Sequence, residues 1–411
     1  MIKQLLLLFF VLNAALPGSA AEPPKEWIDP DTGHRVVRLS SEPGSLSPYF
    51  HQYPFSADGK WLAISTRRGI SRVNLQTHEV DSLVEGSAWL LLTGRRTGDV
   101  YYRQLDGVFA VNFETKQSRL VVQLPEEYYR AQVAPNADET LLVGFSRDES
   151  GERRPRSEEN RRRGGRLGGG WAAGEPLQIF TMDLATKQIK TIHRGNDWFN
   201  HLQTSPTDPN QILFCHEGPW HFVDRTWLIK TDGSGLTKVH PRTMDMEIFG
   251  HEFFSQDGAA VWYDLQTPRS MVFWLAGYEI ATGKRTWYHL EREEWSVHYN
   301  ISPDGKLFCG DGGGEGSVAN RDADGRTLRT PGNGKWMWLF RPKLIGMRGL
   351  PEAAAKQIQI GDMESERLVS LRDHDYDLEP NGIFTPDGKW VIFRSNMHGP
   401  SHVYAVEVAK N

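Results

Sequence analysis

The chain has 411 residues, of which 39% are hydrophobic and 24% are charged, a balance typical of a soluble globular protein. Its formal net charge of −5 gives no indication of nucleic-acid binding. The chain contains 40 glycines and 14 tryptophans, and this combination favours short strands joined by tight turns. We therefore expect an all-β protein without a nucleic-acid partner.

The N-terminus has the features of a secretory signal peptide. Lys3 supplies a positive charge, an apolar run extends from Leu5 to Leu12, and a series of small residues follows it. The apolar run is too short to span a bilayer stably, and no later segment is apolar enough to do so. We predict a signal peptide at 1–21, a single domain at 22–411, and a mature protein that is periplasmic or extracellular.

A short turn motif recurs along the chain. Four clear copies join a Ser or Thr to an Asp-Gly pair: Ser56-Ala57-Asp58-Gly59, Ser255-Gln256-Asp257-Gly258, Ser302-Pro303-Asp304-Gly305 and Thr385-Pro386-Asp387-Gly388. Looser copies occur near Asn136 and Ser205. Asp-Gly between two strand-like runs is a strong hairpin signal, so each copy indicates a small antiparallel sheet of about four strands.

Such sheets cannot bury both faces alone, and radial stacking solves this problem. The number of repeats is close to seven once a degenerate copy between Ala88 and Leu124 is included. We predict a seven-bladed β-propeller with four-stranded blades of the WD or TolB type. The early strand at Val36–Leu39 is expected to complete the last blade and close the ring.

One polar stretch and two cysteines stand outside this pattern. The segment 147–170 is rich in arginine and glycine, and we expect a long insertion loop there. It is either a solvated insertion or a cationic lip that attracts a polyanionic substrate. Cys215 and Cys309 each lie in an apolar strand-like run, which favours two buried thiols over a disulfide.

Polar residues occur repeatedly just before the turns. His251 and His298 each stand four residues before the serine of a turn, and Glu379 and Asn381 occupy the corresponding stretch before Thr385. Residues at one repeat position can converge at the propeller axis. A lone histidine would more often be structural, but several polar residues at one position predict a shared pocket.

The same motifs give the chain a family resemblance. It resembles the oligogalacturonate lyases in its opening Asp29–Leu39, in Phe214–Pro219, in Val223–Arg225, in His251–Phe253, in Asp311 after Gly310 and in Met397–Gly399. The resemblance extends over nearly the whole chain after the signal peptide. It implies a seven-bladed propeller that cleaves short pectic oligosaccharides by β-elimination.

The resemblance also implies roles for individual residues. His251 corresponds to the base that removes the proton from C5 of a uronate, and Arg225 to the cation that polarises the substrate. His201, His216 and Glu217 are predicted to bind the substrate. The alternatives are a structural role for His251 and an ordinary salt bridge for Arg225.

The predicted metal site departs from the family pattern. The resemblance implies manganese held by three histidines and one glutamine, and of these only His298 is present. Glu379 and Asn381 replace the other two histidines, and the glutamine position falls near Tyr376. Oxygen ligands suit manganese or calcium, so we predict a divalent metal at His298, Glu379 and Asn381. Retention with altered coordination and loss of the metal both stay open.

Two other functions are compatible with these patterns. The protein could be a non-catalytic periplasmic propeller that binds a glycan or a protein, because a propeller fold alone does not prove an activity. It could also be a lyase for a different acidic sugar. For a lyase of either specificity the expected partner is an acidic oligosaccharide, and the expected assembly is a monomer or a small homo-oligomer.

Overall fold

The structure is a computed structural model that describes residues 22–154, 173–321, 326, 334–346 and 358–410. The predicted signal peptide at 1–21 lies outside the described residues, as does most of the predicted loop at 147–170. The elements whose bounds the structure describes are β-strands apart from short 3₁₀ helices at Glu126–Tyr128, Arg292–Glu294 and Val318–Asn320. The prediction of an all-β protein is confirmed.

The first half of the chain supplies thirteen of the described strands. They are β1 (Glu26–Ile28), β2 (Arg35–Arg38), β3 (Trp61–Thr66), β4 (Gly69–Asn74), β5 (Val80–Glu85), β6 (Trp89–Thr93), β7 (Val100–Gln104), β8 (Gly107–Val111), β9 (Ser118–Gln123), β10 (Gln132–Pro135), β11 (Leu141–Arg147), β12 (Leu177–Asp183) and β13 (Ile189–Gly195). Strands β3–β5 form a three-stranded sheet, which isolated bridges at Leu46 and Phe55 extend. Strands β6–β9 and β10–β13 each form a four-stranded antiparallel sheet in chain order.

The second half continues the same alternation. Its strands are β14 (Trp198–Thr204), β15 (Gln211–Glu217), β16 (Thr226–Lys230), β17 (Thr237–Lys238), β18 (Ile248–Phe254), β19 (Ala260–Gln266), β20 (Phe273–Glu279), β21 (Arg285–Leu290), β22 (Tyr299–Ile301), β23 (Phe308–Gly310), β24 (Trp336–Leu344), β25 (Gln359–Ser370), β26 (Ile383–Phe384), β27 (Trp390–Ser395) and β28 (His402–Glu407). Strands β14–β17 form a four-stranded sheet. The antiparallel groups β18–β21 and β22–β25 share one eight-stranded sheet, because β21 pairs in parallel with β25.

The two ends of the chain meet in one sheet. Strands β26–β28 are completed by β2 and then β1, with Val36 opposite Val406 and Arg38 opposite Tyr404. The prediction that the strand at Val36–Leu39 joins the C-terminal strands is therefore confirmed.

The hydrophobic core lies between successive strand groups. Each cluster of buried residues described here draws on two neighbouring groups, such as β3–β5 with β6–β9 or β14–β17 with β18–β21. The last group packs on the first, where Ile383 and Ile392 contact Leu62 and Ile64 in one buried cluster. Burying one such aliphatic side chain contributes roughly 1.5–3 kcal/mol, so each group depends on its neighbour for a large part of its stability.

The recurring turn explains how the sequence sets this spacing. In the first copy, the Ser56 hydroxyl donates to the Asp58 carboxylate over 2.6 Å, and the same carboxylate accepts from the Lys60 amide at 3.1 Å. Gly59 has a φ of +71°, a conformation that glycine adopts without steric cost. A hydroxyl side chain, an aspartate and a glycine thus each have a distinct role in the turn, and Thr385 replaces serine in the fourth copy with the same contact to Asp387.

Both cysteines are free thiols. Cys215 in β15 and Cys309 in β23 are fully buried, which confirms the prediction of two packed thiols rather than a disulfide. No helix in the described parts of the chain is long and apolar enough to cross a membrane.

Candidate functional site

Three residues at the repeated position before the turns have a left-handed backbone. The φ angles are +48° at His201, +46° at His251 and +54° at Asn381. The pairing register shifts at two of these places, between Asn200 and Gln203 in β14 and around His251 in β18. Such bulges re-aim side chains and are common next to functional sites.

The bulges help to bring three histidines together. The ring centroid of His251 lies 4.6 Å from that of His298 and 6.2 Å from that of His201. These residues come from three successive strand groups, so the predicted convergence of residues at the repeated position is observed for them.

His251 is oriented by a buried carboxylate. Its Nδ1 lies 2.8 Å from Oδ1 of Asp264, which is fully buried on the neighbouring strand β19. Burial alone would lower the pKa of His251, but the charge of Asp264 and this hydrogen bond outweigh burial and raise it. Because a carboxylate only accepts, Nδ1 carries the proton in the neutral imidazole, and Nε2 is left with a lone pair.

His298 has the same arrangement in the next strand group. Its Nδ1 lies 2.7 Å from Oδ2 of Asp311, and its backbone amide donates to Oδ1 of the same residue at 2.9 Å. In both pairs the aspartate follows its histidine by 13 residues. The site predictions did not include Asp264 or Asp311, although this shared spacing was visible in the sequence.

Arg225 lies in a buried ionic cluster. Its Nη1 donates to Glu217 over 2.5 Å, and its Nε lies 3.4 Å from the carboxylate of Glu252. Arg225 is 1% exposed and Glu252 is 0% exposed. Burial would raise the pKa of Glu252, but the guanidinium and His201 hold it well below its ordinary value. The guanidinium is therefore shared between two ionised carboxylates.

His201 completes this cluster. Its Nδ1 is 3.3 Å from Glu252, and its Nε2 is 3.9 Å from Glu217. His201, Glu217 and Arg225, which were predicted from different parts of the sequence, are therefore neighbours. Glu252 was missed as a site residue, because its side chain faces the cluster only through the bulge at His251.

Trp220 packs against both His251 and the ionic cluster around Arg225. Its ring lies edge-on to His251 with a centroid distance of 5.1 Å, and the Arg225 guanidinium carbon is 4.9 Å from the ring centre. Gly250 makes this packing possible, since a Cβ there would lie 3.0 Å from Nε of Arg225 and 3.4 Å from the Trp220 ring. The indole thus limits access of solvent to His251, which is 8% exposed.

His216 lies elsewhere. Its ring packs against Phe199 and Trp227, and its Nδ1 is 3.6 Å from Asp197. Burial lowers the pKa of His216 to about 4. Successive side chains of a strand face opposite sides, so Glu217 joins the ionic cluster whereas the adjacent His216 does not.

The loop before β3 adds two residues that the sequence did not single out. The Tyr49 hydroxyl is 3.1 Å from Nε2 of His298, and the ring centroid of His51 lies 6.2 Å from that of His201. Burial, reinforced by the neighbouring His201, lowers the pKa of His51 to about 3, so this imidazole is neutral at physiological pH.

Comparison with known proteins shows the family to which the chain belongs. The sequence model of the oligogalacturonate lyases matches residues 25–411. The chain belongs to the oligogalacturonate lyase family. The oligogalacturonate lyase of Dickeya dadantii (strain 3937) is 26% identical over 393 residues, which cover 92% of this chain and 95% of that protein. The oligogalacturonide lyase of Pectobacterium atrosepticum is also 26% identical, over 398 residues and the same shares of the two chains.

Solved structures of oligogalacturonate lyases share the fold. The enzyme from Vibrio parahaemolyticus has a TM-score of 0.72 at 22% identity, covering 94% of this chain and 96% of its own. An oligogalacturonate lyase in complex with manganese has a TM-score of 0.71 at 23% identity, with the same coverage. The all-β fold predicted from the sequence is therefore shared with these structures over nearly the whole chain.

The predicted metal ligands of this family member fit a divalent ion in part. Nε2 of His298 lies 3.7 Å from the carboxylate of Glu379, and these two donor types suit manganese. A metal on Nε2 would replace the hydrogen bond from Tyr49. Asn381 fits less well, because its Oδ1 accepts from the Phe50 amide at 3.2 Å and its Nδ2 donates to the Glu379 carbonyl at 3.0 Å.

A second group of possible ligands lies in the ionic cluster. Ligand atoms of His201, Cys215 and Glu252 are all within 4.8 Å of one another. The Arg225 guanidinium already lies 3.4 Å from one oxygen of Glu252, and burial raises the pKa of the Cys215 thiol well above its ordinary value. A cation there would meet a buried positive charge and a protonated thiol, so His298 and Glu379 are the better pair for a hard ion.

Proposed function

We propose that this protein is a lyase that cleaves short acidic oligosaccharides of the oligogalacturonate type by β-elimination. The observation that carries the proposal is His251, whose Nδ1 is fixed by Asp264 while its Nε2 remains available as a base. Family membership over residues 25–411 supports the same reaction.

His251 acts as the general base in this proposal. Its Nε2 removes the proton from C5 of the uronate. The C4–O4 bond then breaks with its electron pair passing to O4, which leaves and takes up a proton, while a C4–C5 double bond conjugated with the carboxylate forms. Asp264 keeps the imidazole in the required tautomer and stabilises the imidazolium that forms. The Trp220 indole shields the reacting atoms from water, which strengthens these electrostatic effects.

The developing charge on the substrate carboxylate needs a cation. Arg225 lies beside His251, but Glu217 and Glu252 already neutralise it, so its main contribution is to hold the buried cluster in place. A divalent metal would neutralise the carboxylate as a Lewis acid. We propose that His298 and Glu379 hold this ion, with water and substrate at its other positions, and that manganese or calcium is preferred over zinc.

The direct test is an assay on purified protein. We expect oligogalacturonates to give an unsaturated product that absorbs in the ultraviolet. New reducing ends without that absorbance would indicate hydrolysis and would contradict the proposal. A product from another acidic sugar, with none from oligogalacturonate, would support a lyase of different specificity.

Replacing Asp264 with asparagine is expected to change both the rate and its pH dependence. The aspartate raises the pKa of His251, so its loss leaves burial unopposed and lowers that pKa. The rising limb of kcat against pH should move to lower pH, and kcat should fall by about 10²–10⁴-fold because the tautomer is no longer fixed. Other groups near the imidazole, Arg225 and Glu379, are unchanged in this variant. A lower kcat with an unshifted pH profile would show that Asp264 is only structural.

Removal of the metal is expected to abolish activity. Dialysis against a chelator should release one ion per chain, and manganese should restore both the bound metal and the rate. His298→Ala should bind less manganese in elemental analysis, whereas His289→Ala, which changes a half-exposed histidine on β21, should bind as much as the wild type. Full activity without bound metal would contradict the metal proposal and assign charge neutralisation to the protein alone.

We also propose that the strand groups are the blades of a seven-bladed propeller built on a four-stranded plan. The support is their closed order of packing, with the last group on the first. From its N-terminal sequence we propose that the protein is exported. We also propose that it acts as a monomer or small homo-oligomer. Mass analysis of the secreted form, with cleavage before Glu22 as the expected result, and sedimentation in solution test these points.

A further inference from the structure

A large cleft leads away from the histidines. It has a volume of about 1020 Å³, which is at the upper end of the usual range for ligand sites. Its inner wall includes Tyr49, His51 and His201. Tyr49 contacts His298, and the ring centroid of His201 lies 6.2 Å from those of both His51 and His251. From there the cleft crosses the strand groups β6–β9 and β10–β13 to Trp89 and Leu105. The cleft therefore borders the proposed active site through His201, whose ring neighbours that of His251, and it is much larger than one sugar unit requires.

The ionised side chains that line the cleft, among the described residues, are all positive. Its lining contains Arg103, Arg130 and Arg394 and, among the described residues, no aspartate or glutamate. Arg130 is exposed and has no ion-pair partner in the described parts of the chain. Arg394 donates to the backbone carbonyls of Ser47 and Glu379 rather than to a carboxylate. A cleft lined in this way attracts anions although the whole chain has a net charge of −5.

The outer end of the cleft presents apolar side chains to solvent. Trp89 is 72% exposed, Leu105 is 92% exposed and Tyr129 is 41% exposed. Arg103 fixes the segment around Tyr129, because its guanidinium donates to the carbonyls of Tyr129 and Ala131, each at 2.7 Å. An exposed indole in a cleft that is also lined by cations matches the two features of a uronate, which has an apolar ring face and a charged carboxylate.

We propose that this cleft binds the sugar units of an oligouronide that lie beyond the bond being cleaved, with Trp89 stacking on a sugar ring and Arg130 pairing with a uronate carboxylate. The inference rests on the proposed lyase function and extends it to chain length. The protein should favour oligouronides that reach from His251 to Trp89 over the dimer.

Binding can be measured separately from cleavage. The His251→Gln variant, titrated calorimetrically with galacturonate dimer and hexamer, should bind the hexamer more tightly. Trp89→Ala in the same background should reduce that preference by about 2- to 12-fold, the range expected for one aromatic contact. Arg130→Gln should reduce it by less, about 1.5- to 5-fold, and should weaken its dependence on salt, because an exposed ion pair is screened.

Two matched controls exclude general surface effects. Leu120→Ala removes a 54% exposed apolar side chain on β9 that does not line the cleft, and Lys306→Gln removes an exposed cation in a turn of another strand group. Both should keep the preference for the hexamer. Equal affinity for dimer and hexamer would overturn the proposal, and so would an effect of Leu120→Ala as large as that of Trp89→Ala.

The result also separates this proposal from the lyase function. If wild-type protein binds the hexamer through Trp89 but gives no unsaturated product, the cleft proposal stands and the lyase proposal fails. If it cleaves dimer and hexamer with equal kcat/KM, and Trp89→Ala changes neither value, the lyase proposal stands and the cleft proposal fails. Absence of binding to any oligouronide would overturn the cleft proposal.

Discussion

Replacing His251 with glutamine is expected to lower kcat by about 10²–10⁴-fold, because general-base catalysis typically contributes that much. Glutamine can still donate to Asp264, so the buried carboxylate keeps a partner and the fold should be retained. The side chain has no group that accepts a proton at neutral pH. The loss should therefore appear in kcat, with the Kd for substrate little changed.

Initial rates of ultraviolet absorbance on oligogalacturonate measure this effect. His289→Gln is a suitable control, since His289 also lies on a strand. Its side chain is 39% exposed and its charged neighbour is Asp362, which is not part of the site. Circular dichroism should be the same for wild type and both variants. A His251→Gln enzyme with wild-type kcat would show that another residue, such as His201, removes the proton.

The second large effect concerns stability rather than turnover. Arg225→Met is expected to lower the free energy of unfolding by about 3–5 kcal/mol, because it leaves Glu217 and Glu252 as buried carboxylates without their cation. Both carboxylates are at most 5% exposed. Their pKa values should rise once the guanidinium is gone, so the variant should recover part of its stability at acidic pH.

Urea denaturation at neutral and acidic pH measures this difference. Arg35→Met is the matched control, since Arg35 pairs with Glu26 at a similar distance of 2.7 Å but the side chains are 32% and 49% exposed. That exposed pair should contribute about 0–1 kcal/mol. If the two variants lose equal stability, the ionic cluster is not the structural centre of the site. Activity of Arg225 variants has to be measured under conditions where they are folded.

The sequence predicted the fold through its turns. The Ser–Asp–Gly copies depend only on local backbone geometry, so their positions indicated the strand groups, and the strand at Val36–Leu39 was correctly joined to the C-terminus. The exact number of strands in each group was less predictable. The first group has three strands, extended by bridges at Leu46 and Phe55, and the last has five, which include the extra strand β1. These additions were not predictable from local sequence, because they depend on contacts between distant segments.

The site was predictable to a smaller extent. His251 and His298 could be placed from the repeated position before each turn. Glu252, the second carboxylate partner of Arg225, could not be found from spacing alone. The contact between Arg225 and Glu252 depends on two strands from different groups and on the bulge at His251. Strand alternation would have separated Glu217 from His216, had the strand register near the bulge at Asn200 been known.

The pairing of β2 with β28 has a consequence for how the protein is made. β2 is made early and β28 late, so their sheet cannot form until β28 has been synthesised and has left the ribosome. Strand groups in the middle can pair as they emerge, but the first group waits with one hydrophobic side uncovered, since Leu62 and Ile64 pack against Ile383 and Ile392. Folding is therefore completed only once β28 is available, and the late closure of so long a loop makes it slow. A nascent chain that stalls before β28 would expose that surface to chaperones and proteases.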